Sequence, residues 1–203
     1  QGVDAARGDQ AHDPAARRII TGRQLVTQRL HRLSIPARHA AEIAAVLGSQ
    51  IAYAQWDAMW QAENPYSGDL APHAAELERA EVLQINRSGY TFAHDTLHAA
   101  ALAGMDERTR RRRHATVLAL LENAPAHVND ALRLLYHAQG SDDAAALVRY
   151  ALAAGEQALA AFALARAESH FSLALAHMGD APAEGNTSQF YTALQGRIQA
   201  RHV

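Results

Sequence analysis

Two stretches carry residues able to do chemistry. In Tyr90-Thr91-Phe92-Ala93-His94-Asp95-Thr96-Leu97-His98-Ala99-Ala100-Ala101-Leu102 an alternating run ends at His94-Asp95. There the apolar spacing turns from period two to helical, which predicts a strand feeding directly into a helix. A histidine at that corner stands beside the free amide groups and positive dipole end of the helix, a setting that accepts an anion or phosphate. The structural alternative is that His94 holds the corner by bonding to backbone carbonyls. The second stretch is Arg110-Arg111-Arg112-Arg113, the strongest basic signal in the chain. Consecutive helical residues fan out about 100° apart and cannot form one stripe. Asp106 and Glu107 precede Arg110 and Arg111 by four residues and are natural ion-pair partners. The spacing favours a solvated, partly paired helix face over a basic contact patch for nucleic acid.

Other chemistries lack their residues. The chain has no cysteine, so there is no disulfide framework, thiolate nucleophile or cysteine zinc site. All 19 of its Lys+Arg residues are arginine, which excludes the lysine of a G-x-x-x-x-G-K-[ST] phosphate loop. His94 and His98 are four apart, but no glutamate makes H-E-x-x-H of them and no third ligand is near, so metal binding is not expected. No serine occupies a G-x-S-x-G elbow. No catalytic set is expected in this chain.

Composition narrows the class further. At 203 residues and 49% hydrophobic content the chain can bury a sizeable core, as one large or two small domains. The net charge of -2 generates no field that would draw it to nucleic acid or an anionic membrane. Alanine-rich runs are broken by Glu, Arg or His well short of a bilayer span, and the polar start lacks a signal-peptide core, so a cytoplasmic location is expected. Chain ends that fall in mid-pattern suggest a piece of something larger.

The elements that must position these residues can be read in order. Residues 1–13 are polar and aperiodic, a linker or loose end. From Pro14 to Gly104 the pattern predicts a winged-helix-like domain: a stripe of Ile19, Leu25, Val26, Leu30 and Leu33, then a helix capped by Ser34 and stopped by Gly48. A helix over 52–61 with Trp56 and Trp60 on one side follows, and then one capped by Asp69 and running to about Ala80. A hairpin of 82–85 and 90–92 is joined by Asn86-Arg87-Ser88-Gly89. Were the fold to read DNA, the helix before the hairpin would enter the major groove, but it offers Asp69, Glu76, Glu78 and Glu81 against Arg79. Trp56, Trp60 and Tyr66 fit core packing better than partner contact.

Residues 105–203 read as antiparallel, tetratricopeptide-like helical hairpins, incomplete at the end. Val117, Leu118, Leu120 and Leu121 fill one helix, and Leu132, Leu135 and Tyr136 the next, which is expected to end at Gly140. Leu147, Ala151, Ala154, Ala158 and Phe162 recur along a third. Gly155, Ala167, Phe171 and Ala174 match the small and aromatic spacing of a repeat unit, and a helix from Thr187 would open a further one. The expected fold class is therefore mainly α with one small β-hairpin.

The order of Leu30-x2-Leu33-Ser34-x-Pro36-Ala37-Arg38, Ala44-Ala45-Val46-Leu47-Gly48, Tyr90-x-Phe92-x-His94-Asp95, Arg112-Arg113, Tyr136-His137-Ala138-x-Gly140 and Ala154-Gly155-Glu156-x-Ala158-Leu159 resembles a known arrangement. It is similar to the region that follows the ATPase module in STAND-type signal-transduction ATPases, including bacterial LuxR-like transcription regulators and cyclase- or kinase-fused relatives. The resemblance covers residues 24–178. It implies a winged-helix segment that folds back on a nucleotide-bound core, and a helical arm that receives a protein or small-molecule signal. It also implies that His94, with Asp95, senses ADP or ATP held by an upstream ATPase domain of the same polypeptide, with no cofactor of this fragment's own. A free-standing helical-repeat adaptor for protein partners is the alternative.

Overall fold

In a computed structural model, residues 28–63, 68–124, 130–181 and 185–202 are described. Among these residues the chain is mainly helical, with one two-stranded antiparallel sheet. After a helical turn at 28–31 come α1 (Ile35–Leu47), α2 (Tyr53–Glu63), α3 (Ala71–Arg79), β1 (Leu83–Asn86), β2 (Gly89–Phe92) and α4 (Asp95–Ala103). Among the described residues five helices follow: α5 (Glu107–Glu122), α6 (Ala131–Ser141), α7 (Ala144–Ala160), α8 (Leu164–Met178) and α9 (Thr187–His202). The expectations for residues 1–13, for most of the stripe up to Leu33, and for Tyr66 lie outside the described residues.

Local chemistry explains most boundaries. Ser34 Oγ accepts from the Ala37 amide at 3.2 Å and Pro36 sits in the first turn, so α1 starts as its sequence dictates. Gly48, at φ 104°, ends it. The start of α3 differs from expectation: Leu70 holds the cap position in helical backbone, without a side-chain cap bond, and Asp69 stays outside. Asp106 caps α5 by accepting from Thr109 N at 2.9 Å, Asp130 caps α6, and Asp143 caps α7.

The hairpin pairs Leu83 with Phe92 and Asn86 with Gly89. Beyond the expected pairing, Ile51 adds a bridge to Tyr90, with N–H···O bonds of 2.8 Å in both directions. Gly89, at φ 135°, is required there because any Cβ would collide with the Ile51 carbonyl.

Buried apolar side chains form one continuous cluster from Leu30 to Ala200. Trp56 and Trp60 are fully inside it, with indole N–H groups donating to Ala40 O at 2.9 Å and Gly68 O at 3.0 Å. Core packing, rather than a partner surface, is thus their role here.

In the helical array three expectations are corrected. Gly140 lies inside α6 and does not end it: a Cβ there would fall within 2.6 Å of His114 Cδ2, so the missing side chain makes room for that ring. The buried face of α6 is Leu134, Leu135, His137 and Ala138, and Leu132 and Tyr136 point outward. Phe162 follows the end of α7 at φ 56° and is 82% exposed instead of continuing the buried stripe. Ala163 N donates to Ala158 O and Phe162 N to Leu159 O, so the ring occupies the left-handed position that glycine normally fills. At the centre of the array, Phe171 of α8 is seated between Gly155 of α7 and Gly196 of α9.

Candidate functional site

His94 stands where β2 turns into α4. Its backbone is extended (φ -147°, ψ 144°) and its carbonyl accepts from Leu97 N at 2.9 Å, so it is the N-cap residue of α4. The imidazole makes no cap bond, is exposed, and has no hydrogen-bond partner among the described residues. Asp95, in the first turn, is exposed as well and favourably placed for the helix dipole. The corner is instead fastened by a residue whose role the sequence did not announce. His98 Nε2 lies 2.9 Å from Ala45 O on α1, and its ring packs on Phe92 at 5.1 Å.

A groove of about 410 Å³ runs past this corner, lined by Arg29, Glu78, Glu81, Gln84, Ile85 and His94 among others. Arg29 is held 3.7 Å from Glu81. The groove carries both signs of charge, and its His94 end, with the first amides of α4, is the part that tolerates an anion.

The arginine run disperses in the structure. Arg110 and Arg111 both pair with Glu107, and Arg111 also reaches Asp142 of the next helix junction. Arg112 is exposed. Arg113 cannot join a basic contact patch because it is 1% exposed. Its Nε donates to Glu63 Oε1 at 3.0 Å, its Nη1 to Glu42 Oε2 at 3.1 Å, and its Nη2 stands 3.0 Å from His39 Nδ1. Burial pushes the Glu63 carboxyl up, but the contacts with His39 and Arg113 outweigh it and leave Glu63 below the usual carboxylate range. This cluster ties α1 and α2 to α5. Arg133 of α6 adds a bond to Gln55 of α2 at 2.5 Å.

A second buried polar group was likewise silent in the sequence. His114 and His137 meet Nδ1 to Nδ1 at 3.2 Å, and His137 Nε2 is buried without a partner. Burial, and then the neighbouring His114 and Arg133, push the His137 pKa down to about 3. Burial also lowers that of His114, beside Arg110. Both rings are therefore neutral, and their contact is one N–H donating to one lone pair. Among the described residues no three His, Cys, Asp or Glu side chains gather as a metal site, and no helix is long and apolar enough to cross a membrane.

Compared with known proteins, the chain matches no family model, no curated protein and no solved structure.

Proposed function

We propose that the chain is a non-catalytic regulatory segment of a STAND-type ATPase, most plainly a transcriptional regulator: a winged-helix-like unit that answers to nucleotide state, joined to a tetratricopeptide-like arm that binds a signal. The observation that carries this reading is the unpaired, exposed imidazole of His94 at the N-terminus of α4. A histidine retained only to brace the corner would be bonded to it, and His98 already does that work. His94 is free to donate to a phosphate oxygen presented by an upstream ATPase domain, at the positive end of the α4 dipole. The element order, three helices, a hairpin, a fourth helix and then helical hairpins, supports the same reading. Glu78 and Glu81 border the groove and oppose a polyphosphate along its whole length, so contact with a terminal or β-phosphate at the His94 end is the arrangement that fits. Duplex DNA is disfavoured as a partner of α3, whose exposed end carries Glu78 and the following Glu81 against Arg79.

The parent open reading frame should encode a phosphate-binding lysine upstream. In that full-length protein His94→Ala should speed ADP release and raise basal output. An unchanged nucleotide off-rate, with the variant folded, rules out the sensor.

The alternative, a helical-repeat adaptor, is favoured by Phe162 at the turn after α7 and by Tyr191 and Ile198 on α9, which are all exposed. A complete reading frame without an ATPase module would select it.

A further inference from the structure

A cavity of about 260 Å³ opens between α1 and α4, at the lower edge of the range of small-molecule pockets, roughly 300–1,000 Å³. Its wall is apolar, built from Leu30, Ala41, Ala100 and Ala101, and two charged side chains of α1, Arg38 and Glu42, converge on it. They do not pair with each other. Arg38 is held in place by backbone carbonyls, Nε donating to Leu30 O at 3.2 Å and Nη2 to His31 O at 3.0 Å, which leaves Nη1 without a partner among the described residues. Glu42 gives Oε2 to Arg113, while Oε1 stays unpaired on the Gly104 side, 3.8 Å from where a Cβ on that glycine would be. The exposed ring of His31 borders the same space.

An immobilised guanidinium donor, an open carboxylate oxygen and a wall of alanines together describe a complement. Four residues apart on one helix, the two side chains start roughly 5–6 Å apart and lie on the same face, so both heads can reach one small ligand. We infer that this cavity is a binding site for a small zwitterion, an α-amino acid with a compact branched apolar side chain, whose carboxylate meets Arg38, whose ammonium meets Glu42 and whose side chain lies on the α4 alanines. A simple cation would leave Arg38 facing it with like charge, and a simple anion would meet Glu42 in the same way. Because Glu42 also holds Arg113, occupancy of the cavity shares a carboxylate with the contact that joins α1 to α5. The inference stands whether or not the chain belongs to an ATPase.

Isothermal titration of the full chain with L-leucine tests it. Saturable binding is expected, with isoamylamine, which lacks the carboxylate, and 4-methylpentanoate, which lacks the amine, each roughly tenfold weaker or worse. Ala100→Leu fills the wall without touching either charge and should weaken leucine by a similar factor. Ala103→Leu, at an exposed lining position, should do the same without risk to the core. Glu42→Gln should remove the advantage of leucine over 4-methylpentanoate, and Arg38→Gln its advantage over isoamylamine. No saturable leucine binding with a Kd of about 1 mM or tighter, binding by either single-headgroup analogue equal to leucine, or undiminished binding in folded Ala103→Leu overturns the site.

Discussion

Arg113 on α5 and Glu63 on α2 form a buried ion pair, Nε to Oε1 at 3.0 Å, at the seam where the helical array meets the helices before it. The guanidinium also donates toward His39 Nδ1, so that nitrogen carries the lone pair, and His39 Nε2 lies 3.2 Å from Glu63 Oε2. Removing one partner strands the other. Arg113→Met should cost about 3–5 kcal/mol in urea unfolding, because Glu63 is left charged and enclosed. Arg113→Met combined with Glu63→Gln should recover part of that loss. Strict additivity of the two substitutions would show that the residues do not act as a pair.

The His114–His137 contact sets a pH dependence. His137 in the folded chain is held to about 3, against about 6.5 when unfolded, so between these values the unfolded state binds more protons. Stability is therefore complete above about pH 6.5 and lost as pH falls toward 3. Near 1.36 kcal/mol per unit, the fall from pH 6.5 to 5 should be about 2 kcal/mol. Lowered His114 acts in the same direction, and the nearby Arg110 and Arg133 reinforce neutrality while Glu107 opposes it. Glu63, depressed below its usual range, adds its own loss only under more acid conditions, below about pH 4.5. His137→Gln should flatten the upper window and leave the lower one. Equal slopes for the two proteins between pH 6.5 and 5 would refute the assignment.

What the sequence made legible was periodic or punctuated. Ser34 with Pro36, Gly48, the Asn86 to Gly89 turn and the Gly155–Phe171 spacing all announced structure that the fold contains, because caps, turns and small residues act within a few positions of themselves. Arg113, His114 and His137 were opaque for the opposite reason. Their partners Glu63, Glu42 and His39 lie 50, 71 and 74 residues away from Arg113, so nothing in the local pattern distinguishes it from Arg112. The α6 face was misjudged because Leu132 and Tyr136 are apolar at helical spacing, and only the packing of the His114 ring against Gly140 reveals which side is inward. Of the candidate site, the strand-to-helix corner at His94 was readable, whereas the cavity between α1 and α4 arises from residues some 60 positions apart and could not be.

Glycine inside a helix usually costs about 0.5–1 kcal/mol relative to alanine, so a change to alanine is normally stabilising. Gly155 and Gly196 should reverse that sign. A Cβ at either position would lie 2.7 Å from Phe171 Cε1, with one glycine on α7 and the other on α9. Each Gly→Ala substitution is expected to lose about 1–3 kcal/mol from overpacking. Phe171→Leu, costly by itself, should make Gly196→Ala tolerable. Stabilisation by Gly196→Ala in the wild-type background would mean that the ring is not seated between these two helices.

His94 occupies an N-cap position with a side chain that does no capping. Serine is among the residues best suited there, its hydroxyl accepting from an amide that α4 now leaves unsatisfied. His94→Ser should therefore raise stability by about 0.5–1 kcal/mol, seen as a small rise in thermal midpoint. The same substitution at His98, whose ring is bonded to Ala45 O and packed on Phe92, should lower it. The pair of opposite signs separates a residue kept for a ligand from one kept for the fold. Loss of stability in His94→Ser would show that the imidazole braces the corner after all, and would remove the reason for assigning it to a phosphate.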